Sequence, residues 1–291
     1  MSLAFIGLGQ MGLPMARCLS SVVEVIAYDK KGNDYDGLKT VHNPSQLGAC
    51  DTLVTCLPNS DVVEDVLFGN KGLVYILPLG AVIIETSTTS HDGAIQIGNR
   101  LAKMGFGFLD APVSGMPKRA ENGTLTMMVG GNNTLFERYR VLLSSMASKI
   151  LHVGPVGAGQ LAKLINQLLL DINMAALAEI LPIAAKLGLD PEQVAQIVNS
   201  STGRSYASEF FVPNILKGVF DQGYSMKAAY KDLIAGAELK TKNGFTTPVL
   251  EAATKTYRTA LEEGYGGSDK GAMIRVYEQL IGSKFRAKEN E

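Results

Sequence analysis

The feature that most constrains this chain is a glycine loop at its start. Gly7-Leu8-Gly9-Gln10-Met11-Gly12 follows the short apolar run 3–6 and opens a helical pattern over 11–19. The spacing G-x-G-x-x-G carries little weight alone. Between a strand and a helix it describes a turn built to hold a pyrophosphate. The first glycine permits the tight turn and the second lets the backbone approach the anion. The third lets helix pack on strand, and the helix N-terminus supplies free N–H donors. Asp29 ends the next β-rich run, 22 positions after Gly7, close to the ~20-residue spacing of the acid that accepts from the adenosine ribose hydroxyls. A carboxylate there repels a 2′-phosphate, so NAD is the expected cofactor. NADP is the alternative, because Lys30 and Lys31 follow at once.

The first half continues the strand–helix alternation that defines a mainly parallel sheet with helices on both faces. Strands are predicted at 3–6, 24–28, 51–57, 82–85, 106–110, 126–129 and 149–153, and helices at 11–19, 62–67, 91–104 and 135–146. Ligands of a doubly wound sheet bind beyond the carboxyl ends of its strands. Leu57-Pro58-Asn59, Thr86-Ser87-Thr88 and Asp110-Ala111-Pro112-Val113-Ser114-Gly115 all fall at that edge. They are rich in hydroxyl, Gly and Pro, as close approach to a polar ligand requires. Ser90 reads instead as a helix cap.

After Gly154-Pro155-Val156-Gly157-Ala158-Gly159 the character changes. Helices are predicted at 160–186, 191–199, 226–242, 248–263 and 269–281, stopped by Gly188, Gly203, Gly244 and Gly264, and no strand is convincing. The expected organisation is an α/β Rossmann domain over 1–155 and an all-α domain over 156–291 that includes a long interdomain helix.

Composition removes several functional classes. Over 291 residues the formal net charge is −1, from 27 Lys and Arg against 28 Asp and Glu. Nucleic-acid and membrane-surface binding need a cationic excess that is absent. Cys18, Cys50 and Cys56 form no C-x-x-C pair, which suits a reducing compartment. His42, His91 and His152 are scattered, so no metal site is expected. The run 3–6 is too short for a signal peptide. The apolar stretch 161–189 is interrupted by Lys163, Asp171, Glu179 and Lys186 and reads as a buried helix, not a membrane span. A cytoplasmic protein is expected, or an organellar one if a leader has been trimmed.

On that apolar helix Lys163, Asn166, Gln167 and Asn173 form a polar stripe, at spacings that share one face. A buried lysine is costly. With the helix starting at 160, Lys163 lies in the first turn, where the dipole disfavours a cation. Both effects would lower its pKa toward the range useful for proton transfer. The competing reading is a lysine that snorkels to water.

These residues resemble the β-hydroxyacid dehydrogenases, the family of 3-hydroxyisobutyrate dehydrogenase. The opening 7–16 is similar to the family's cofactor signature. Asp110 to Gly115, continuing to Gly123-Thr124-Leu125-Thr126, resembles its substrate loop. Gly157-Ala158-Gly159 with Lys163 and Asn166 resembles its catalytic helix, and Lys231-Asp232-Leu233 a C-terminal segment that returns to the cofactor. The resemblance implies that Lys163 is the catalytic acid/base and that Ser114, Gly115, Asn166 and Gln167 hold the substrate. It implies that Leu57, Pro58, Val62, Thr88 and Lys231 join the loop residues Gly7, Leu8, Gly9, Gln10, Met11 and Gly12, with Asp29, around the cofactor. It also implies a homodimer or homotetramer. Two residues depart from the family pattern. Met116 replaces a second glycine after Ser-Gly, which would narrow the substrate pocket. Gln167 replaces a second Asn, and some relatives that reduce tartronate semialdehyde have Gln there.

The expected activity is hydride transfer between NAD(P) and a short 3-hydroxy acid. The alternatives are an NADPH-dependent reductase of tartronate, succinic or glyoxylic semialdehyde, or a non-catalytic dinucleotide-binding scaffold. A methyltransferase would also use a glycine loop but leaves the helical half unexplained. Arg204, Tyr206 and Phe210 are candidates for lining the pocket, with ordinary helix packing as their competing reading.

Overall fold

A computed structural model of the chain describes residues 2–288. The chain divides into two compact units, Met1–Lys163 and Leu164–Glu291.

The first unit is the expected doubly wound fold. Its strands are β1 (Leu3–Ile6), β2 (Val25–Tyr28), β3 (Lys39–Thr40), β4 (Thr52–Thr55), β5 (Val82–Glu85), β6 (Gly107–Asp110), β7 (Val113–Ser114), β8 (Leu125–Gly131) and β9 (Ala147–Gly154). The order is β3-β2-β1-β4-β5-β6-β8-β7, with β9 beside β8. From β3 to β6 every pairing is parallel, whereas β8 runs antiparallel to β6 and β7. The order reverses between β1 and β4, which opens the crevice where such sheets bind ligands.

Strand β1 shows why the sheet is buried on both sides. Leu3 and Phe5 enter one apolar cluster, together with Met15 and Leu19 of α1 (Gly12–Ser20) and Phe136 and Leu143 of α5 (Asn133–Leu143). Ala4 and Ile6 enter the other, with Val63 and Leu67 of α2 (Ser60–Phe68) and Ile97 and Leu101 of α3 (His91–Lys103). Alternate residues feed opposite faces, and both faces are apolar. Ser90 accepts from the Gly93 N–H, so it is the cap expected of it. A short helix α4 (Met116–Glu121), not anticipated, follows Ser114 and Gly115.

The second unit is helical. It holds most of α6 (Ala158–Lys186), then α7 (Pro191–Ser200), α8 (Tyr206–Leu216), α9 (Met226–Asn243), α10 (Pro248–Glu262) and α11 (Ile274–Ile281). Met174, Ala178, Phe211, Ile215, Leu233, Tyr257 and Ile274 form its core. The sequence reading missed α8, whose apolar stretch contains Pro213. Its start is nevertheless strongly signalled by a reciprocal cap between Ser205 and Ser208. The predicted helix 269–281 is a 3-10 turn at Lys270–Met273 followed by α11.

Helix α6 corrects two expectations. It begins at Ala158, so Lys163 is in its second turn, beyond the reach of most of the dipole effect. Nor is it buried all round: Ile165, Leu169, Ile180 and Ile183 are 40–58% exposed, and Asn166 and Asn173 are exposed too. Its largely apolar sequence predicts more burial than the helix has. By length and composition alone α6 would also suffice to cross a bilayer.

Candidate functional site

The glycine loop has the shape its sequence requires. Gly7 has φ +94°, and a side chain there would strike the Cys56 carbonyl. A side chain on Gly12 would strike the Gly7 carbonyl, while at Gly9 nothing lies within 4 Å. The first and third glycines are therefore demanded by packing, and the second leaves open space. No side chain caps the start of α1 at Met11, which leaves its first turn available to an anion. Asp29 accepts from the Leu8 N–H at 2.7 Å and from the Lys31 N–H at 2.9 Å. The end of β2 is thus fastened to the loop, with the carboxylate beside it. These residues fit a dinucleotide pyrophosphate and ribose.

The loops after β4 and β5 are joined by a buried network that the sequence did not reveal. Glu85, 1% exposed, accepts from the Thr55 hydroxyl and the Ser87 N–H, both at 2.6 Å. The Ser87 hydroxyl also bonds this carboxylate, and it accepts from the Leu57 N–H at 2.6 Å. Burial pushes Glu85 up to about 7 against these donors, and the nearby charge of Asp110 adds to the rise. Burial also pushes the Cys56 thiol up to about 12. Leu57 lies in this network. Thr88 is exposed on the loop after β5, and Val62 lies in the first turn of α2, where Asn59 accepts its N–H.

The next strand end holds α6. Asp110, fully buried, accepts from the Gly157 N–H at 2.7 Å and the Gln160 N–H at 2.9 Å. Burial raises its pKa while those donors pull it down. The Gln160 side chain donates to the Ser87 carbonyl at 2.8 Å and accepts from the Thr89 N–H at 3.0 Å. The turn before Lys163 is therefore locked to two strand-end loops. Lys163 is 8% exposed. Ser114 ends β7, and Gly115 follows at φ +148°. Met116 then holds φ +63°, the single left-handed non-glycine among the described residues. A left-handed side chain costs roughly 1–2 kcal/mol, so a methionine in place of glycine leaves local strain right after Gly115.

In the second unit Gln167 donates to Asp232 at 3.3 Å, beside the exposed Lys231 on α9. Asp171, read from sequence only as a break in apolarity, is fully buried and ion-paired with the equally buried Lys270. Phe210 packs on the helical core and stacks with Tyr206, and Arg204 pairs with Glu209 on the surface. Phe210 and Tyr206 thus have packing partners, and Arg204 a surface ion pair.

Comparison with known proteins agrees along the whole chain. A family described as the NAD binding domain of 6-phosphogluconate dehydrogenase matches residues 2–154. A second, described as NAD-binding of NADP-dependent 3-hydroxyisobutyrate dehydrogenase, matches 157–277. The chain is 38% identical to 2-(hydroxymethyl)glutarate dehydrogenase of Eubacterium barkeri, covering 96% of each. It is 33% identical to L-threonate dehydrogenase of Cupriavidus necator, over 95% of this chain and 96% of that one. Among solved structures, 3-hydroxyisobutyrate dehydrogenase of Mycobacterium tuberculosis with L-serine superposes with a TM-score of 0.84 at 29% identity, covering 94% of this chain and 98% of that one.

Proposed function

The chain belongs to the β-hydroxyacid dehydrogenases, NAD(P)-dependent oxidoreductases of hydroxy acids, and from that premise we propose that it oxidises a short 3-hydroxy acid, reversibly, with Lys163 as acid/base. The observation that carries this reading is the fixed start of α6: Asp110 and Gln160 hold in place the turn that presents a nearly buried lysine.

A bound nicotinamide would supply the hydride chemistry at the carbinol carbon of the hydroxy acid. The chain supplies the rest. Gly7, Leu8, Gly9, Gln10, Met11 and Gly12 would seat the pyrophosphate, and Asp29 would accept from the ribose. Leu57, Pro58, Val62, Thr88 and Lys231 complete the cofactor contacts. Neutral Lys163 takes the hydroxyl proton at Nζ during oxidation and gives it back in reduction. The Ser114 hydroxyl and the Gly115 N–H bind the substrate carboxylate, and Asn166 and Gln167 add amide contacts. Orientation of the carbinol is the positional part of the rate. Residues 1–155 serve the dinucleotide, and 156–291 carry the catalytic helix and complete the enzyme.

NAD is favoured by Asp29, and Lys30 and Lys31 beside it support the second reading, an NADPH-dependent semialdehyde reductase. The exposed apolar residues of α6 support a homodimer or homotetramer. The unpaired thiols of Cys18, Cys50 and Cys56 support a cytoplasmic enzyme. A screen of 3-hydroxyisobutyrate, serine, glycerate, 3-hydroxypropionate, 4-hydroxybutyrate, threonate and 2-(hydroxymethyl)glutarate against NAD and NADP tests the activity. Lys163→Ala should lose most of kcat while the Kd for NADH stays near wild type. Retained turnover would remove Lys163 from the mechanism.

A further inference from the structure

Glu85 is not used by the chemistry above, yet it lies under the cofactor edge and is expensive to keep there. A buried carboxyl is retained when its partners need it. Its three donors come from two places: Thr55 at the end of β4, and the backbone and hydroxyl of Ser87 after β5. Ser87 passes the constraint on, because its hydroxyl, while donating to Glu85, accepts from the Leu57 N–H. On the other side the Ser87 carbonyl is held by Gln160 of α6. One carboxylate thus anchors the two loops that carry Leu57, Pro58 and Thr88.

We propose that Glu85 is the positioning residue of the cofactor edge: its carboxylate gathers Thr55 and Ser87, fixes Leu57 through Ser87, and so holds the loops after β4 and β5 in the arrangement that binds the dinucleotide. The proposal rests on the reading that those loops contact NAD(H). Its consequence is a dependence on protonation. A protonated Glu85 places an O–H donor where three donors already converge, so the Thr55 or Ser87 hydroxyl must reverse to accept it or a contact breaks, and the clasp is rearranged. The other titratable groups facing it are Asp110 on β6 and Cys56 after β4. The Cys56 thiol is held neutral up to about 12 and does not enter. Asp110 keeps its own donors from Gly157 and Gln160. Cofactor affinity should therefore fall as the pH drops through about 7, where burial has placed this carboxyl.

The test is calorimetric titration of the full-length protein with NADH and NADPH between about pH 6 and about pH 8.5. Wild type should bind more weakly as the pH falls, by up to about tenfold per pH unit below the inflection, the limit for one linked proton. Glu85→Gln should bind more weakly than wild type at the alkaline end and show a flat profile. Ser87→Ala, which cuts the link to Leu57 but leaves Glu85 in place, should bind weakly and lose the inflection as well. This second variant keeps the test decisive if Glu85→Gln folds poorly. The proposal falls if wild type shows no inflection, or if either variant binds and titrates like wild type. Absence of NADH and NADPH binding by wild type at every pH would overturn the functional reading itself, and the proposal with it.

Discussion

The Asp110 carboxylate and the Gln160 N–H, fifty residues apart in sequence, meet at 2.9 Å and close the N-terminus of α6 three residues before Lys163. The second carboxylate oxygen takes the Gly157 N–H at 2.7 Å. Both oxygens must accept, which an amide cannot do. Asp110→Asn turns one N–H toward a donor, and an unsatisfied buried donor costs about 1–3 kcal/mol. The expected outcome is a lower Tm and a clear loss of kcat with little change in the Kd for NADH. Unaltered Tm and kcat would show that this clasp does not position the lysine.

Gly9 and Gly12 separate binding from folding. At Gly12 a Cβ would meet the Gly7 carbonyl, whereas at Gly9 nothing lies within 4 Å. Gly12→Ala should therefore be strongly destabilised. Gly9→Ala should melt close to wild type and lose NADH affinity by at least about tenfold, since its methyl fills the space the pyrophosphate approaches. Thermal melts and NADH titration of the two variants check this, and full NADH affinity in a folded Gly9→Ala would refute it.

What could be read from the sequence was what local spacing encodes. The glycine loop, the distance to Asp29 and the strand–helix alternation all need only residues near one another in the chain. The clasp of Glu85, Ser87 and Leu57 was hidden because it depends on β4 and β5 being neighbours at a given register, Thr55 opposite Glu85. Asp171 and Lys270 lie ninety-nine positions apart, so Asp171 looked like an interruption of an apolar run. The start of α6 was placed two residues late because Gly157 and Gly159, poor helix formers, flank Ala158 and read as a loop. Asp110, at the end of another strand, holds that first turn in place.

Glu85 gives stability a pH dependence of known sign. Its carboxyl has an ordinary value of 4.5 and is pushed by burial up to about 7 in the fold. Between those values the folded chain holds a proton that the unfolded chain has released. This group's contribution is fully present below about pH 4.5 and is lost as the pH rises through about 7. The shift corresponds to about 3 kcal/mol. Urea unfolding should show wild type losing stability relative to Glu85→Gln between about pH 5 and about pH 8. A constant difference across that range would contradict the buried charge. Stability thus favours the neutral acid and cofactor binding the ionised one, a conflict characteristic of functional sites.

Asp171 and Lys270 form the second buried charge system, and its energetics are set by pairing. Both side chains are fully buried, and Tyr257 donates to Asp171 at 3.2 Å. The Lys270 ammonium also lies 5.3 Å from the centre of the Tyr224 ring. Burial pushes the Asp171 carboxyl up to about 6 even against the attraction of Lys270. Removing one partner leaves an uncompensated buried charge, at a cost of about 3–5 kcal/mol. Asp171→Leu alone and Lys270→Met alone should each lose that much by urea unfolding. The double variant leaves no charge and replaces the pair by apolar groups, which is often neutral or stabilising. It should therefore be more stable than either single variant, with a coupling energy of several kcal/mol in the double-mutant cycle. If the two losses simply added, the pair would not act as a unit, and the buried contact between α6 and the turn before α11 would have to be explained by packing alone.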